Sequence, residues 1–115
     1  GDEVQVRILV AEGRIAEARF EGEGCSISQA SASMLMEGVE GRTAAEARSL
    51  GDRFTAMLEG DPAAAHAPEL GDLRALAGVA GYPVRVRCAL LPLEALYLAL
   101  DEIAEPTKHP MEENR

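Results

Sequence analysis

The hydrophobic pattern of this chain changes its period at one place, the stretch Gly24-Cys25-Ser26. Before it the apolar residues alternate, and after it they recur at helical spacing. In EVQVRILV (residues 3–10), Val4, Val6, Ile8 and Val10 alternate with Glu3, Gln5 and Arg7, and only Leu9 breaks the period of two. Alternation of this kind marks a strand with one buried face. AEGR follows as a turn, with Gly13 suited to a positive φ. IAEARF then resumes the alternation, with Ala16, Ala18 and Phe20 on its apolar face and Ile15 entering at the turn. An antiparallel hairpin followed only by helices predicts an α+β fold, a small antiparallel sheet packed against several helices.

From Ser26 onward, Ile27, Ala30, Met34 and Val39, with Ser28, Ser31 and Ser33 between them, predict a helix with one apolar and one small-polar face. Gly38 and Gly41 mark its end. Thr43 and Glu46 have the spacing of a capping box and open a second helix to about Leu58, with Ala47, Leu50, Phe54, Met57 and Leu58 inward. EGDPAAAHAPELGD reads as a loop, and a short helix follows from about Leu70 to Val79. Pro83 and the β-branched residues of VRVRC (residues 84–88) bias that stretch toward an extended strand. The last helix is expected from about Leu90 to Ala104, with Pro92 in its first turn and Leu93, Leu96, Tyr97, Leu100 and Ile103 inward. One domain over residues 1–105 results, with a patternless tail, 106–115, expected to be disordered.

A chain of 115 residues supports one modest core, and with 3% aromatic residues and no Trp that core must be aliphatic. The formal net charge of −9 leaves no basic face for a nucleic-acid backbone or an anionic membrane, and suits a cationic partner surface or a metal ion. No apolar run has spanning length and no secretory leader is visible. Two cysteines make no disulfide framework, so a reducing, cytoplasmic setting is the expectation.

Cys25 and Cys88 are the residues best suited to chemistry. Cys25 follows Gly22 and Gly24 at the expected start of a helix, where unpaired N–H groups and the helix dipole favour a thiolate. Cys88 is likewise expected just ahead of a helix, so the two can converge at one end of the helical layer. Three readings stand for each: reactive thiolate, metal ligand, or small buried hydrophobe. Their spacing fits no zinc finger and no C-x-x-C motif. Arg85 and Arg87, two apart on a strand, would project to the same side, either to solvent and nearby carboxylates or toward a thiolate. Asp2 stands just before the first strand and reads on its own as a solvated charge. His66 and His109 fall in loop-like and tail sequence, and no Ser/His/Asp constellation is present.

Taken together, Gly1-Asp2 before a strand, EGEGCSISQASASML after a hairpin, and RVRC before the last helix resemble the U-type iron–sulfur assembly proteins. That family comprises IscU, the NifU N-terminal domain and the sulfurtransferase SufU. The resemblance covers about residues 1–104 and looks closest to the SufU branch. Arg87 stands where IscU-type scaffolds carry His, and GDPAAAHAPELGDLRALAGVAGYP looks like the SufU insertion. It implies a metal site made by Asp2, Cys25, Cys88 and a further cysteine that the family carries immediately before Gly1. That ion is zinc in SufU-type proteins; the alternative is a [2Fe–2S] cluster assembled on the same residues, as on an IscU-like scaffold. Arg85 matches a basic position that balances the charge of the thiolates. The implied partners are a PLP-dependent cysteine desulfurase, which delivers persulfide sulfur, and downstream cluster-assembly proteins. The family's N-terminal helix and edge strand would also stand upstream of Gly1. A third class consistent with these residues is an adaptor that keeps only the desulfurase-binding surface.

Overall fold

The computed structural model describes residues 3–108, with side-chain surroundings as far as Ile103. Strands β1 (Glu3–Ala11) and β2 (Arg14–Glu23) pair antiparallel. The two residues between them, Glu12 and Gly13, both have positive φ, which matches strand twist in a tight two-residue hairpin turn. Val4, Val6 and Ile8 form the half-buried face of β1, as alternation predicts.

β2 departs from the expected face. Leu9 pairs with Glu17 but Val10 pairs with Ile15, so Ala16 is an extra residue and forms a β-bulge. The bulge resets the alternation: Ile15 (1% exposed) joins Ala18 and half-buried Phe20 on the core side, and Ala16 is exposed. It also ties the hairpin to the loop beyond. The Ile15 N–H donates to the Arg42 carbonyl, the Gly41 N–H to the Ile15 carbonyl, and the Ala18 N–H to the Glu40 carboxylate, at 2.8, 2.8 and 3.0 Å.

Helix α1 (Ser26–Val39) ends at Glu40, followed by Gly41 at φ +87°. Its buried residues are Ser28, Ser31, Ala32, Leu35, Met36 and Val39. Ser28 and Ser31 of the small-polar face thus pack inward, whereas Ser33 and Ala30, the latter expected on the apolar face, are exposed. Two small hydroxyls can be buried there because each finds a backbone acceptor, Cys25 O for Ser28 and Ala89 O for Ser31. Helix α2 (Ala44–Leu58) opens on the expected capping box, with Thr43 Oγ1 accepting from the Glu46 N–H and the Glu46 carboxylate accepting from the Thr43 N–H.

The loop-like stretch contains a single turn of helix, α3 (Pro62–Ala65), capped by Asp61, and then a 3-10 segment, Pro68–Val79, kinked at Gly71. Leu70, Leu73 and Leu76 fasten that segment to the core, and Arg53 of α2 pairs with its Glu69 at 3.3 Å.

Helix α4 runs from Pro83 to Lys108, so residues 84–88 are helical and the expected strand there does not form. Pro83 takes the first helical position, where its missing N–H costs nothing. Val86, Ala89, Leu93, Leu96 and Leu100 then make one continuous inward stripe, and packing of that stripe outweighs the β preference of two valines. Pro92 accordingly lies buried in the helix interior rather than in its first turn and supplies no N–H to the Cys88 carbonyl one turn earlier.

The hairpin lies across α1 and α4, while α2 and the 3-10 segment close the other side. The core between them is aliphatic apart from Phe54. At Gly51 the α2 backbone comes so close to α4 that an added Cβ would meet Tyr97 Oη at 2.6 Å and Leu93 Cδ1 at 2.7 Å. Among the described residues no helix is long and apolar enough to cross a membrane.

Candidate functional site

Cys25 occupies the N-cap of α1 with extended backbone angles, φ −71° and ψ 172°, and its side chain is exposed. Its carbonyl accepts the Gln29 N–H at 3.0 Å and so begins the helix. Gly22 makes this entry possible. At φ +137° any side chain there would collide with the Glu3 carbonyl, so only glycine lets the end of β2 press against β1 before the chain turns into α1.

The Cys25 thiol is held below an ordinary cysteine's pKa. The largest cause is the Ser28 backbone N–H, followed by the Cys88 side chain and then the Ser28 hydroxyl, which lies 3.7 Å from Sγ. The Ile27 N–H adds to this, and slight burial opposes it. These N–H groups are the unpaired donors of the first helical turn, so the sequence expectation of a thiolate-favouring helix start holds physically.

Cys88 comes from α4, half-buried and beside Cys25. The two cysteines expected to converge do so, although Cys88 reaches the site from inside a helix rather than from a strand ahead of one. The two helices are linked here by Ser31, fully buried in α1, whose hydroxyl donates to the Ala89 carbonyl of α4 at 2.6 Å. The sequence places Ser28 and Ser31 on the small-polar face of this helix, but does not show the roles they take here. The signal was present, since both lie on the α1 face that begins at Cys25.

The arginines separate. Residues 85 and 87 are on a helix, so they no longer project to one side. Arg85 lies over the ring of Tyr82, 5.2 Å from its centroid. Arg87 lines a shallow groove of about 380 Å³ with Val84, Cys88, Leu91 and Glu94. His66 is exposed at the end of α3. Asp2 and His109 lie outside the described residues.

Among the described residues no three of His, Cys, Asp and Glu are grouped to hold a metal ion. The pair Cys25 and Cys88 nonetheless fits half of a tetrahedral sulfur-rich set, being two adjacent thiols of which one is already biased toward thiolate.

With this geometry in place, residues 1–89 match the family described as the NifU-like N terminal domain. The chain belongs to that family. Its relatives include the zinc-dependent sulfurtransferase SufU of Bacillus subtilis, 38% identical over 96 residues, a match covering 84% of this chain and 65% of that protein. The chain thus spans just under two thirds of that relative's length. The iron–sulfur cluster assembly scaffold protein IscU of Streptococcus pyogenes is 37% identical over 114 residues, covering 99% of this chain and 70% of that one. A solved NifU-like protein (N-terminal) from Brucella abortus superposes with a TM-score of 0.80 at 29% identity, covering 91% of this chain and 72% of that one. The α+β expectation holds, and the chain is a member of the iron–sulfur cluster assembly family of SufU and IscU.

Proposed function

We propose that this NifU-like domain is a zinc-dependent sulfur-transfer protein of iron–sulfur cluster assembly, serving a PLP-dependent cysteine desulfurase. The observation that carries the reading is the meeting of Cys25 and Cys88, distant in sequence, at the N-terminus of α1 with the Cys25 thiol shifted toward thiolate. Cys25 and Cys88 would hold the zinc, with Asp2 as carboxylate ligand by the family resemblance. Zinc, when bound, keeps thiolates deprotonated yet shielded until one is displaced.

The chain's own groups prepare this. The Ser28 N–H and hydroxyl stabilise negative charge on Cys25 before any metal arrives, and the Ser31–Ala89 bond keeps Cys88 within reach of it. Cys25 and Cys88 carry the sulfur chemistry among these residues, and the family's further acceptor cysteine would stand before Gly1. Arg85, stacked on Tyr82, stands for charge balance by resemblance, and Arg87 is a second cation that lines the groove with Cys88.

Metal analysis of the purified chain tests the proposal. About one zinc per chain is expected, lost in Cys25→Ala and in Cys88→Ala; absence of zinc, or its retention in both variants, overturns it. A second reading, a scaffold on which a [2Fe–2S] cluster is assembled, is favoured by the IscU-named relative that matches nearly the whole chain. Anaerobic reconstitution yielding a stable visible cluster chromophore in place of zinc would select it.

A further inference from the structure

The inward stripe of α4 is matched by a second apolar stripe that faces outward. Val84, Cys88, Leu91, Ala95 and Leu98 follow one another at intervals of four, three, four and three, the heptad spacing of a coiled-coil seam. Val84 is 72% exposed and Leu98 67%, and Leu91 between them is half-buried. Val84, Leu91 and Leu98 share one heptad position. Two shallow grooves flank this line, one by Val84, Arg87, Cys88, Leu91 and Glu94, the other between β1 and the Ala95–Leu98 end.

Charge along the same helix selects an occupant. The first half of α4 carries Arg85 and Arg87, and the second half carries Glu94 and Glu102 beside the seam. Arg87 and Glu94 are one heptad apart and occupy the flanking position that contacts its own equivalent in an antiparallel pair. If a second α4 lies antiparallel with the two-fold axis at Leu91, Val84 lies opposite Leu98 and Leu91 opposite Leu91, and Arg87 of each copy comes within one residue of the level of Glu94 of the other, within reach of its long side chain. Parallel pairing would set Arg87 beside Pro92 and Glu94 beside Ala99 of the other copy, leaving neither charge an ionic partner across the seam. A chain of net charge −9 resists diffuse self-association, so only a register with such local complementarity brings two copies together.

We infer that the outward face of α4 is a self-association surface, on which a second copy of this chain docks antiparallel through Val84, Leu91 and Leu98 with reciprocal Arg87–Glu94 pairs. An interface of one helix per copy belongs to the small, transient class. Because Cys88 lies in the seam, the pairing also covers that thiol.

Sedimentation equilibrium of the metal-free, reduced chain up to millimolar concentration tests this, with circular dichroism confirming that each variant is folded. The wild type is expected to approach twice the single-chain mass as concentration rises. The exposed-site variant Leu98→Lys should remain a monomer. Arg87→Glu and Glu94→Arg should each weaken association by roughly tenfold or more, and the double exchange should restore it, since the pairs re-form with reversed sign. A wild type monomeric throughout overturns the inference. So does a double exchange no better than the single ones, which would mean that another partner covers this face or another register is used.

Discussion

Ser31 in α1 donates its hydroxyl hydrogen to the Ala89 carbonyl in α4 at 2.6 Å, fully buried, beside the pair Cys25 and Cys88. One buried bond thereby ties the two helices together close to two thiols that sequence separates widely. Ser31→Ala removes the donor and leaves a small void. It is expected to cost about 1–3 kcal/mol in urea unfolding, and to move the Cys25 pKa back toward that of a free thiol as Cys88 loosens. Unchanged stability together with an unchanged thiol titration would show that the bond does not hold the site.

The lowered pKa of Cys25 has a kinetic signature. In the metal-free protein, the pH profile of iodoacetamide alkylation at Cys25 should rise at lower pH than that of an unstructured cysteine peptide. Cys88→Ala should shift the profile upward but only part of the way, because the Ser28 N–H, the largest cause, remains. A profile identical to that of the free peptide contradicts the described helix start.

Tyr97 donates its hydroxyl to Asp52 at 2.7 Å, and its pKa is raised first by burial and then by this carboxylate. A folded pKa above the unfolded value of about 10 means that the neutral phenol stabilises the fold fully below that pH. As pH rises above ~10 the unfolded chain loses this proton while the folded chain keeps it, so stability falls. Melting temperature measured from pH 8 to 11 should drop more steeply in the wild type than in Tyr97→Phe, which at neutral pH loses about 1 kcal/mol.

Gly51 tests the α2–α4 contact from the other side. Alanine is the better helix former by about 1 kcal/mol, but its Cβ would press on Tyr97 Oη and Leu93 Cδ1, one anchored by Asp52 and the other in the core. The clash is expected to win, with a net loss of about 1–2 kcal/mol in denaturant midpoint experiments. A stabilised Gly51→Ala would show that these helices yield.

The hairpin, α1 and the capping box of α2 are legible in the sequence because each depends on local spacing. Ala16 is different: a bulge is a pairing event between strands, and nothing in IAEARF alone marks which residue is left over. Residues 84–88 misled because Pro83, Val84 and Val86 favour extension locally, whereas the stripe from Val86 to Leu100 that decides the matter becomes clear only when the whole helix is read together. The small serines of α1 are legible as a distinct face, but the acceptor of Ser31, Ala89 O from a distant helix, is not. Cys25 and Cys88 are legible as a pair, although the expected helix start holds only for Cys25, and Cys88 reaches the same place from inside α4.

The central claim is that Cys25 and Cys88 act on one ion together. Zinc affinity measured by competition with a chromophoric chelator, for the wild type, Cys25→Ala, Cys88→Ala and the double variant, addresses it directly. The account predicts that each single substitution removes most of the affinity and that the double substitution adds little. Independent, additive losses, or affinity untouched by either substitution, would contradict it.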